Sequence, residues 1–469
     1  MERDQLCYMP AVEVAAAIRE RKLSPVEVVE AVLAHIERLN PRLNAYCTVT
    51  AEGARAAARA AEEAVMAGRP LGPLHGVPVS IKDLVTTKGV RTTWGSKLHE
   101  HVVPEEDAPV VARLKAAGAI VLGKTNTPEY GWTAETDNRV FGPTRNPWDP
   151  ARSAGGSSGG AAAAVAAGMG PLAVGTDGGG SIRIPAAVCG IFGIKPSFGR
   201  VPVYPASAAE SLSHTGPMTH TVRDAALMLR VMAGPDERDR NSLPADATDY
   251  LATAGDGIRG LRVAWSPDLG YALVDPEVRE ACAQAAHAFE GLGCRVETAA
   301  PGFPEPEETW ATLFWGAIGA KLAPALPEWR ERMDPGLVEV VEKGETLTGI
   351  QVAEAGFRRA ALWDTVRRFF EAYDLLLTPT VAVPALPLGG TGDIEIAGRR
   401  VSRWKAFPFN YPFNLTGQPA ATVPCGFTAG GLPIGLQIVG RRFADATVLR
   451  AAAAFEAARP WAARRPRLD

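Results

Sequence analysis

Short apolar runs alternate along the chain with longer segments in which apolar residues recur every three to four positions. The runs Val77–Ile81, Ala119–Leu122 and Leu172–Gly175 predict buried strands. Further strands are predicted at Leu261–Trp265, Cys294–Glu297, Leu375–Leu377, 421–424 and 434–439. Because strands that alternate with helices are typical of a sheet covered on both faces, this pattern predicts an α/β fold.

Residues that start and stop helices bound the helical segments. Ser24-Pro25-Val26-Glu27 is a capping box with proline at the first helical position, and it predicts a helix that ends at Asn40, before Pro41. Asp107 is expected to cap a helix that ends at Ala117. Further helices are predicted at 51–67, about 160–168, from near Ser181, and at 221–233, 275–291, 351–372 and 445–457.

Composition excludes several classes of protein. The 49 Lys and Arg against 52 Asp and Glu give a net charge of −3, which offers no electrostatic footprint for nucleic acid. The most apolar run, 159–175, is mainly Ala and Gly and is too weakly hydrophobic to span a membrane. Six scattered cysteines, no C-x-x-C pair and no apolar signal segment favour a cytoplasmic protein with free thiols.

Three short motifs are explained better by structure than by chemistry. Gly118–Thr125 fits the P-loop pattern G-x-x-x-x-G-K-T, but its middle residues are Ala, Ile, Val and Leu, which indicate a strand. Gly155–Gly159 fits the nucleophile elbow G-x-S-x-G, but a loop precedes it. The elbow stays open as an alternative with a later histidine, namely His214, His220 or His287. His99-Glu100-His101 has no third ligand at metal spacing and is interpreted as a solvated polar turn.

Three polar segments together carry candidate chemistry. They are Lys82 at the end of a buried strand, the Gly-rich segment 155–160 with Ser157 and Ser158, and the segment 175–186 with Ser181. A serine hydroxyl is a weak nucleophile, but a lysine that burial makes neutral can act as its base. A second serine can bridge the two by accepting one hydrogen bond and donating another. The residues therefore predict a hydrolase.

The turn that carries Ser181 is suited to binding an oxyanion. Consecutive N–H groups at Gly178, Gly179, Gly180 and Ser181, close to a predicted helix start, form a concavity that favours an anion. Asp177 and Arg183 flank this turn, and we interpret them as a rigidifying ion pair.

The three segments resemble the amidase signature family. The resemblance rests on GGSSGG at 155–160, GTDGGGSIRIPA at 175–186 and Lys82, which lies 75 residues before Ser157, itself 24 residues before Ser181. It extends from about residue 11 to 460. It implies an α/β/α sandwich with a central mixed, twisted β-sheet covered by helices on both faces. It also implies a single amidase domain over 1–469. Because 301–350 lacks predicted strands and carries Trp310, Phe314, Trp315 and Trp329, we interpret it as a cap or insertion over the active-site cleft.

The family's roles, carried onto the matching positions, imply a serine–serine–lysine triad. Ser181 would be the nucleophile and acyl carrier, Ser157 the bridging serine after a cis peptide bond, and Lys82 the general base. Ser158, Asp177 and Arg183 would support the site. Gly131 and Trp132 lie where members of the family line the acyl pocket.

The resemblance implies a free-standing amidase, without metal or cofactor, that hydrolyses a small or medium amide to a carboxylate and an amine. Seven aromatic residues predict an apolar or aryl substrate, including anilides or carbamates, unless they only fill the core: Phe303, Trp310, Phe314, Trp315, Phe407, Phe409 and Tyr411. The alternative is the glutaminase-type component of a Glu-tRNA(Gln)/Asp-tRNA(Asn) amidotransferase, which shares the fold and triad. Homodimers are frequent among similar enzymes, and the sequence leaves the oligomeric state open.

Overall fold

One large mixed sheet runs through the centre of the fold. A computed structural model describes residues 3–390 and 392–468 and places eleven strands in this sheet and two in a separate hairpin. The strands are β1 (Tyr46–Val49), β2 (Pro78–Lys82), β3 (Ile120–Thr125), β4 (Leu172–Asp177), β5 (Phe192–Lys195), β6 (His214–Thr219), β7 (Arg262–Trp265), β8 (Arg295–Thr298), β9 (Leu375–Pro379), β10 (Ile394–Ile396), β11 (Arg399–Val401), β12 (Ala420–Phe427) and β13 (Pro433–Gly440).

The strand order of the sheet is β1-β3-β2-β4-β6-β5-β12-β13-β9-β7-β8. β2 lies between β3 and β4 and is parallel to both. β7 lies between β9 and β8 and is also parallel to both. The remaining pairs are antiparallel, and β10 and β11 form the hairpin. The mixed sheet predicted above is confirmed.

Helices cover both faces of this sheet. In chain order the described helices are α1 (Arg3–Cys7), α2 (Ala11–Arg19), α3 (Pro25–Leu43), α4 (Ala51–Met66), α5 (Pro109–Ala116), α6 (Gly159–Ala166), α7 (Arg183–Cys189), α8 (Val222–Met232), α9 (Tyr250–Thr253), α10 (Pro276–Gly291), α11 (Glu307–Leu322), α12 (Leu326–Trp329), α13 (Pro335–Thr346), α14 (Gly349–Ala372), α15 (Tyr411–Thr416) and α16 (Asp445–Ala458). α6 and α7 pack together on the middle strands, and α8, α10 and α16 form another layer. Among the described helices, none has the length and hydropathy needed to cross a membrane.

Two predicted helix boundaries need correction. The Ser24 capping box forms as predicted, but α3 continues through Pro41 to Leu43 and ends where Asn44 adopts a positive φ of 51°. Proline close to a helix end forfeits only one backbone hydrogen bond, so the helix tolerates it there. Asp107 does not cap α5, which begins after Ala108. Its carboxylate instead accepts hydrogen bonds from the Lys88 N–H at 2.7 Å and Lys115 Nζ at 2.8 Å.

Residues 301–350 contain helices α11, α12 and α13. α11 packs against α13, α14 and α15. Trp310 and Phe314 on α11 have stacked rings with centroids 4.8 Å apart, and both face the cavity described below. That this segment acts as a cap stays a prediction.

Candidate active site

Lys82 is the last residue of β2, a strand whose five residues are all buried. Its Nζ lies 2.7 Å from Ser157 Oγ, 2.8 Å from Ser158 Oγ and 2.9 Å from Thr176 Oγ1. Complete burial lowers the pKa of Lys82 well below its usual value, because the ammonium form loses its hydration, although the charge of Asp177 acts in the opposite direction. Lys82 is therefore poised to be a neutral amine.

The hydroxyl neighbours determine where the lone pair of that amine points. Ser158 Oγ donates to the Thr176 carbonyl at 3.2 Å and accepts from the Thr176 N–H at 3.3 Å, so its proton is already used. A neutral amine has two N–H donors and one lone pair. If the N–H groups serve Ser158 and Thr176, the lone pair faces Ser157. Lys82 can then take a proton from Ser157 and return it.

Ser157 lies in a loop in which glycine residues allow a close approach to neighbouring backbone atoms. A Cβ on Gly156 would lie 2.6 Å from backbone atoms of Ala134 and Glu135. The Gly156–Ser157 peptide bond is cis. The segment before Ser157 is not a strand, so the context that a nucleophile elbow requires is missing. The N–H of Ser158 donates to the Ser181 carbonyl at 3.0 Å, which holds this loop against the turn that carries Ser181.

The glycine turn joins β4 to α7 and presents Ser181 to the same cavity as Ser157. Trp310 Nε1 donates to the Gly178 carbonyl at 2.9 Å, and a Cβ on Gly179 would lie 2.7 Å from the Trp310 ring. The Gly180 N–H donates to Asp177 Oδ1 at 2.8 Å, because the turn folds back over that carboxylate. This removes Gly180 from the predicted oxyanion donors and leaves the N–H groups of Gly178, Gly179 and Ser181 as the candidates.

A buried ion pair between Asp177 and Arg183 supports the turn that carries Ser181. Arg183 Nε and Nη2 each lie 2.9 Å from an oxygen of Asp177, and both side chains are fully buried. Burial alone would raise the pKa of Asp177, but the charge and hydrogen bonds of Arg183 outweigh it and hold that pKa far below its usual range. Arg183 also donates to Gln437 Oε1 and Asn414 Oδ1, both at 2.7 Å. The pair therefore links the turn to β13 and α15.

Ser157 and Ser181 open onto a cavity of about 170 Å³. Gly131 and Trp132, predicted to border the acyl group, line it. Five of the seven predicted aromatic residues also line it: Trp310, Phe314, Trp315, Phe407 and Tyr411. The other two belong to the core, since Phe409 is fully buried and Phe303 is buried with its ring 6.1 Å from that of Tyr271. The cavity is therefore mainly aromatic on the side facing α11.

Several lining residues were not predicted from the sequence. Thr176 sits beside Asp177 in the predicted motif, and its polar side chain at a strand end was an available signal. Leu84 and Tyr130 adjoin the predicted residues Lys82 and Gly131, whereas Glu307 and Lys343 come from separate segments without a recognisable motif, so only the fold brings those two to the cavity.

The two remaining motifs do not form sites of their own. Lys124 of the P-loop-like segment lies in β3 and is fully buried, where its Nζ donates to Thr92 Oγ1 at 2.8 Å. His99 is half-buried, with its ring 4.8 Å from that of Trp94, so the predicted solvated turn is wrong for this residue. Within residues 3–390 and 392–468, no group of three or more His, Cys, Asp or Glu side chains is arranged to hold a metal ion.

Comparisons with known proteins agree with this geometry. The family model described as Amidase matches residues 27–449. The chain is 44% identical to an acylamidase of Rhodococcus erythropolis, over 99% of this chain and 98% of that protein. It is 40% identical to the A subunit of the glutamyl-tRNA(Gln) amidotransferase of Roseiflexus sp. (strain RS-1), over 96% of each. A solved bacterial aryl acylamidase of the amidase signature family superposes with a TM-score of 0.92 at 34% identity, over 98% of this chain and 99% of that one.

Proposed function

Because the chain belongs to the amidase family of hydrolases, which act on carbon–nitrogen bonds of linear amides, we propose that it is a free-standing amidase that forms an acyl ester on Ser181. The observation that carries this proposal is the buried Lys82 Nζ, which lies 2.7 Å from the Oγ of Ser157, a residue that lines the same cavity as Ser181. Ser157 would bridge Lys82 and Ser181. Ser158, Asp177 and Arg183 would hold these groups in position.

The acylation step follows from the order of the hydroxyl groups. Ser181 Oγ attacks the amide carbon as its proton passes to Ser157, whose own proton passes to the Lys82 lone pair. The carbonyl oxygen becomes an oxyanion, which the N–H groups of Gly178, Gly179 and Ser181 stabilise. The proton then returns from Lys82 through Ser157 to the amide nitrogen. The carbon–nitrogen bond breaks, and a neutral amine leaves.

Water completes the cycle by the same path. A water molecule loses its proton through Ser157 to Lys82 and attacks the ester carbon. The bond to Ser181 Oγ breaks, Ser181 regains the proton from Lys82 through Ser157, and the acyl group leaves as a carboxylic acid that loses its own proton to solvent to give the carboxylate. Ser181→Ala should abolish turnover while leaving the unfolding midpoint nearly unchanged, because Ser181 is not part of the core. An active Ser181→Ala enzyme would contradict this proposal.

The aromatic cavity supports an apolar or aryl substrate. Trp132, Trp310, Phe314 and Trp315 offer ring surfaces to an acyl or aryl group, and acylamidase and aryl acylamidase are the names of two of the relatives above. A phenyl group that fits such a pocket should raise kcat/KM by roughly 10- to 200-fold. Trp315→Ala should reduce this preference and leave acetamide turnover little changed.

The amidotransferase relative keeps glutamine as a second candidate substrate. Glutamine is polar, and a pocket built for it would need groups that bond its ammonium and carboxylate. Glu307 and Lys343 line the cavity, but Lys405 already pairs with Glu307, and Lys343 Nζ lies over the Trp315 ring. We therefore expect the purified chain alone to hydrolyse acetanilide or benzamide with a higher kcat/KM than glutamine. A clear preference for glutamine would favour a role within an amidotransferase instead.

The proposal also covers the cellular compartment of the enzyme, the cap over its cavity and its oligomeric state. All six cysteines are free, and Cys282 Sγ lies 3.8 Å from Cys425 Sγ without a bond, which supports a reducing compartment such as the cytoplasm. A small-molecule amide fits the cavity, and α11–α13 would form its cap. A homodimer stays a prediction that light scattering on the purified chain would test.

A further inference from the structure

A second cavity adjoins the one that holds Ser157 and Ser181. It has a volume of about 300 Å³, and we call it the second chamber. The two cavities share part of their walls, namely Leu84, Tyr130, Thr176, Ser207, Ala208 and Ser213. Ser157, Ser181 and Trp310 line only the first cavity. The shared residues thus form a waist between two compartments, and the reacting serines lie on one side of it.

The proton path of the proposed reaction indicates which half of the substrate lies toward which cavity. The proton that the leaving amine needs comes from Lys82 through Ser157, so the amide nitrogen must face that side of the scissile bond. The second chamber begins there, since its wall includes Thr176, whose Oγ1 lies 2.9 Å from Lys82 Nζ, and Leu84. An amine half that extends past the waist therefore enters the second chamber, while the acyl half lies toward Trp310 and Phe314.

Aromatic side chains, including an imidazole ring, line the second chamber. The His99 ring lies 4.8 Å from the Trp94 ring and 5.8 Å from the Tyr130 ring, with edge-to-face geometry in both contacts. All three residues, together with Tyr204, border the chamber. Such walls suit a flat apolar group, which offers faces and edges to neighbouring rings.

The ammonium group of Lys321 on α11 also borders the chamber. Its Nζ lies 3.5 Å from the Ala206 carbonyl, to which it donates a hydrogen bond. In the part of the chain that the structure describes, no carboxylate forms an ion pair with Lys321. Lys321 is an exposed residue at the edge of the chamber, and an ammonium group without a counter-charge favours an anionic ligand there.

We propose that the second chamber binds the amine half of the substrate and that Lys321 selects aromatic amines bearing an anionic group distal to the nitrogen. This inference rests on the proposed amidase function and specifies its substrate class. The anionic group would lie at the mouth of the chamber near Lys321, and the ring between Trp94 and His99. The scissile nitrogen would remain at the waist.

The test compares two anilides of nearly equal shape, N-acetyl-4-aminobenzoate and N-acetyl-4-aminoacetophenone, which differ in charge and each carry a single amide bond. In the wild type, kcat/KM should be higher for the carboxylate. Lys321→Gln should lower this carboxylate-to-ketone ratio roughly 3- to 10-fold, as expected for a charge-assisted hydrogen bond weakened by solvent. Lys321→Arg should keep most of the ratio, because it keeps the charge. Lys343→Gln, at the wall of the first cavity only, should leave the ratio unchanged.

Two results would overturn the inference. One is a ratio that is the same in wild type and Lys321→Gln. The other is a Lys321-dependent preference for a carboxylate on the acyl ring of a benzanilide, which would reverse the two compartments. Calorimetric titration of 4-aminobenzoate into Ser181→Ala separates this inference from the proposed function. If the wild type hydrolyses no anilide but binding still depends on Lys321, the proposed function fails and the chamber assignment stands.

Discussion

Replacing Lys82 removes the group on which the proposed proton path depends. In Lys82→Met the Nζ atom and its contacts with Ser157, Ser158 and Thr176 are lost, while a side chain of similar length still fills the space. A positioned general base typically contributes 10²- to 10⁴-fold to the rate. That factor corresponds to about 3–5 kcal/mol in the activation free energy. We expect kcat/KM to fall by at least about 100-fold.

Lys82→Arg separates the base from its positive charge. A guanidinium group stays protonated and has no lone pair to accept the Ser157 proton, so this variant should be as inactive as Lys82→Met. The assay is kcat/KM for an anilide between about pH 6 and 10, with unfolding midpoints measured in parallel. Wild-type activity should rise with pH through the Lys82 pKa, which burial places well below 10.5, and then level off.

Lys124→Met is the matched control. Lys124 is also a fully buried lysine, and burial lowers its pKa to about 8, but it lines neither cavity. This variant should keep both the activity and the inflection of the pH profile at temperatures where it is folded. Near-wild-type activity in Lys82→Arg, or an inflection that survives in Lys82→Met but disappears in Lys124→Met, would refute the assignment of Lys82 as the base.

Three further predictions concern the support of the site and the stability of the fold. Arg183→Met leaves the buried carboxylate of Asp177 without its ion-pair partner and should lower the free energy of unfolding by about 3–5 kcal/mol in a urea titration. Arg240→Ala is the control, because it removes an exposed ion pair and should change that free energy by less than about 1 kcal/mol. Gly179→Ala places a Cβ 2.7 Å from Trp310 and should lower kcat by about 100-fold or more without a matching loss of stability, because the oxyanion donors shift. Burial raises the pKa of Glu456 from 4.5 to about 7, so the folded chain binds more protons than the unfolded one between these values. Stability should therefore fall as pH rises across that window, and Glu456→Gln should flatten the decline; an unchanged slope would contradict the assignment.

Local sequence rules predicted the elements whose ends are decided locally. The capping box at Ser24 and the strand before Lys82 are examples, because a side chain next to the boundary satisfies the backbone there. The rules failed at Pro41 and Asp107, where packing and competing hydrogen bonds decide the outcome. The hairpin β10–β11 was missed, since its strands have only three residues each.

The candidate site likewise has residues that the sequence predicts and features that only the fold reveals. Ser157 and Ser181 stand in glycine-rich motifs whose geometry depends on close backbone approach, and Lys82 stands at the end of a buried apolar strand, so the sequence itself points to all three. The engagement of the Gly180 N–H by Asp177 depends on how the turn folds back, which spacing does not reveal. The second chamber is assembled from segments more than 200 residues apart, such as Trp94 and Lys321, and no periodicity connects them.

The identity of the nucleophile tests the account most directly. A fluorophosphonate reacts with an activated serine and stays attached, so peptide mapping by mass spectrometry after labelling identifies the residue. We predict one adduct per chain, on Ser181, and its loss in both Ser181→Ala and Lys82→Met. An adduct on Ser157 with Ser181 unmodified would contradict the account and restore the nucleophile elbow.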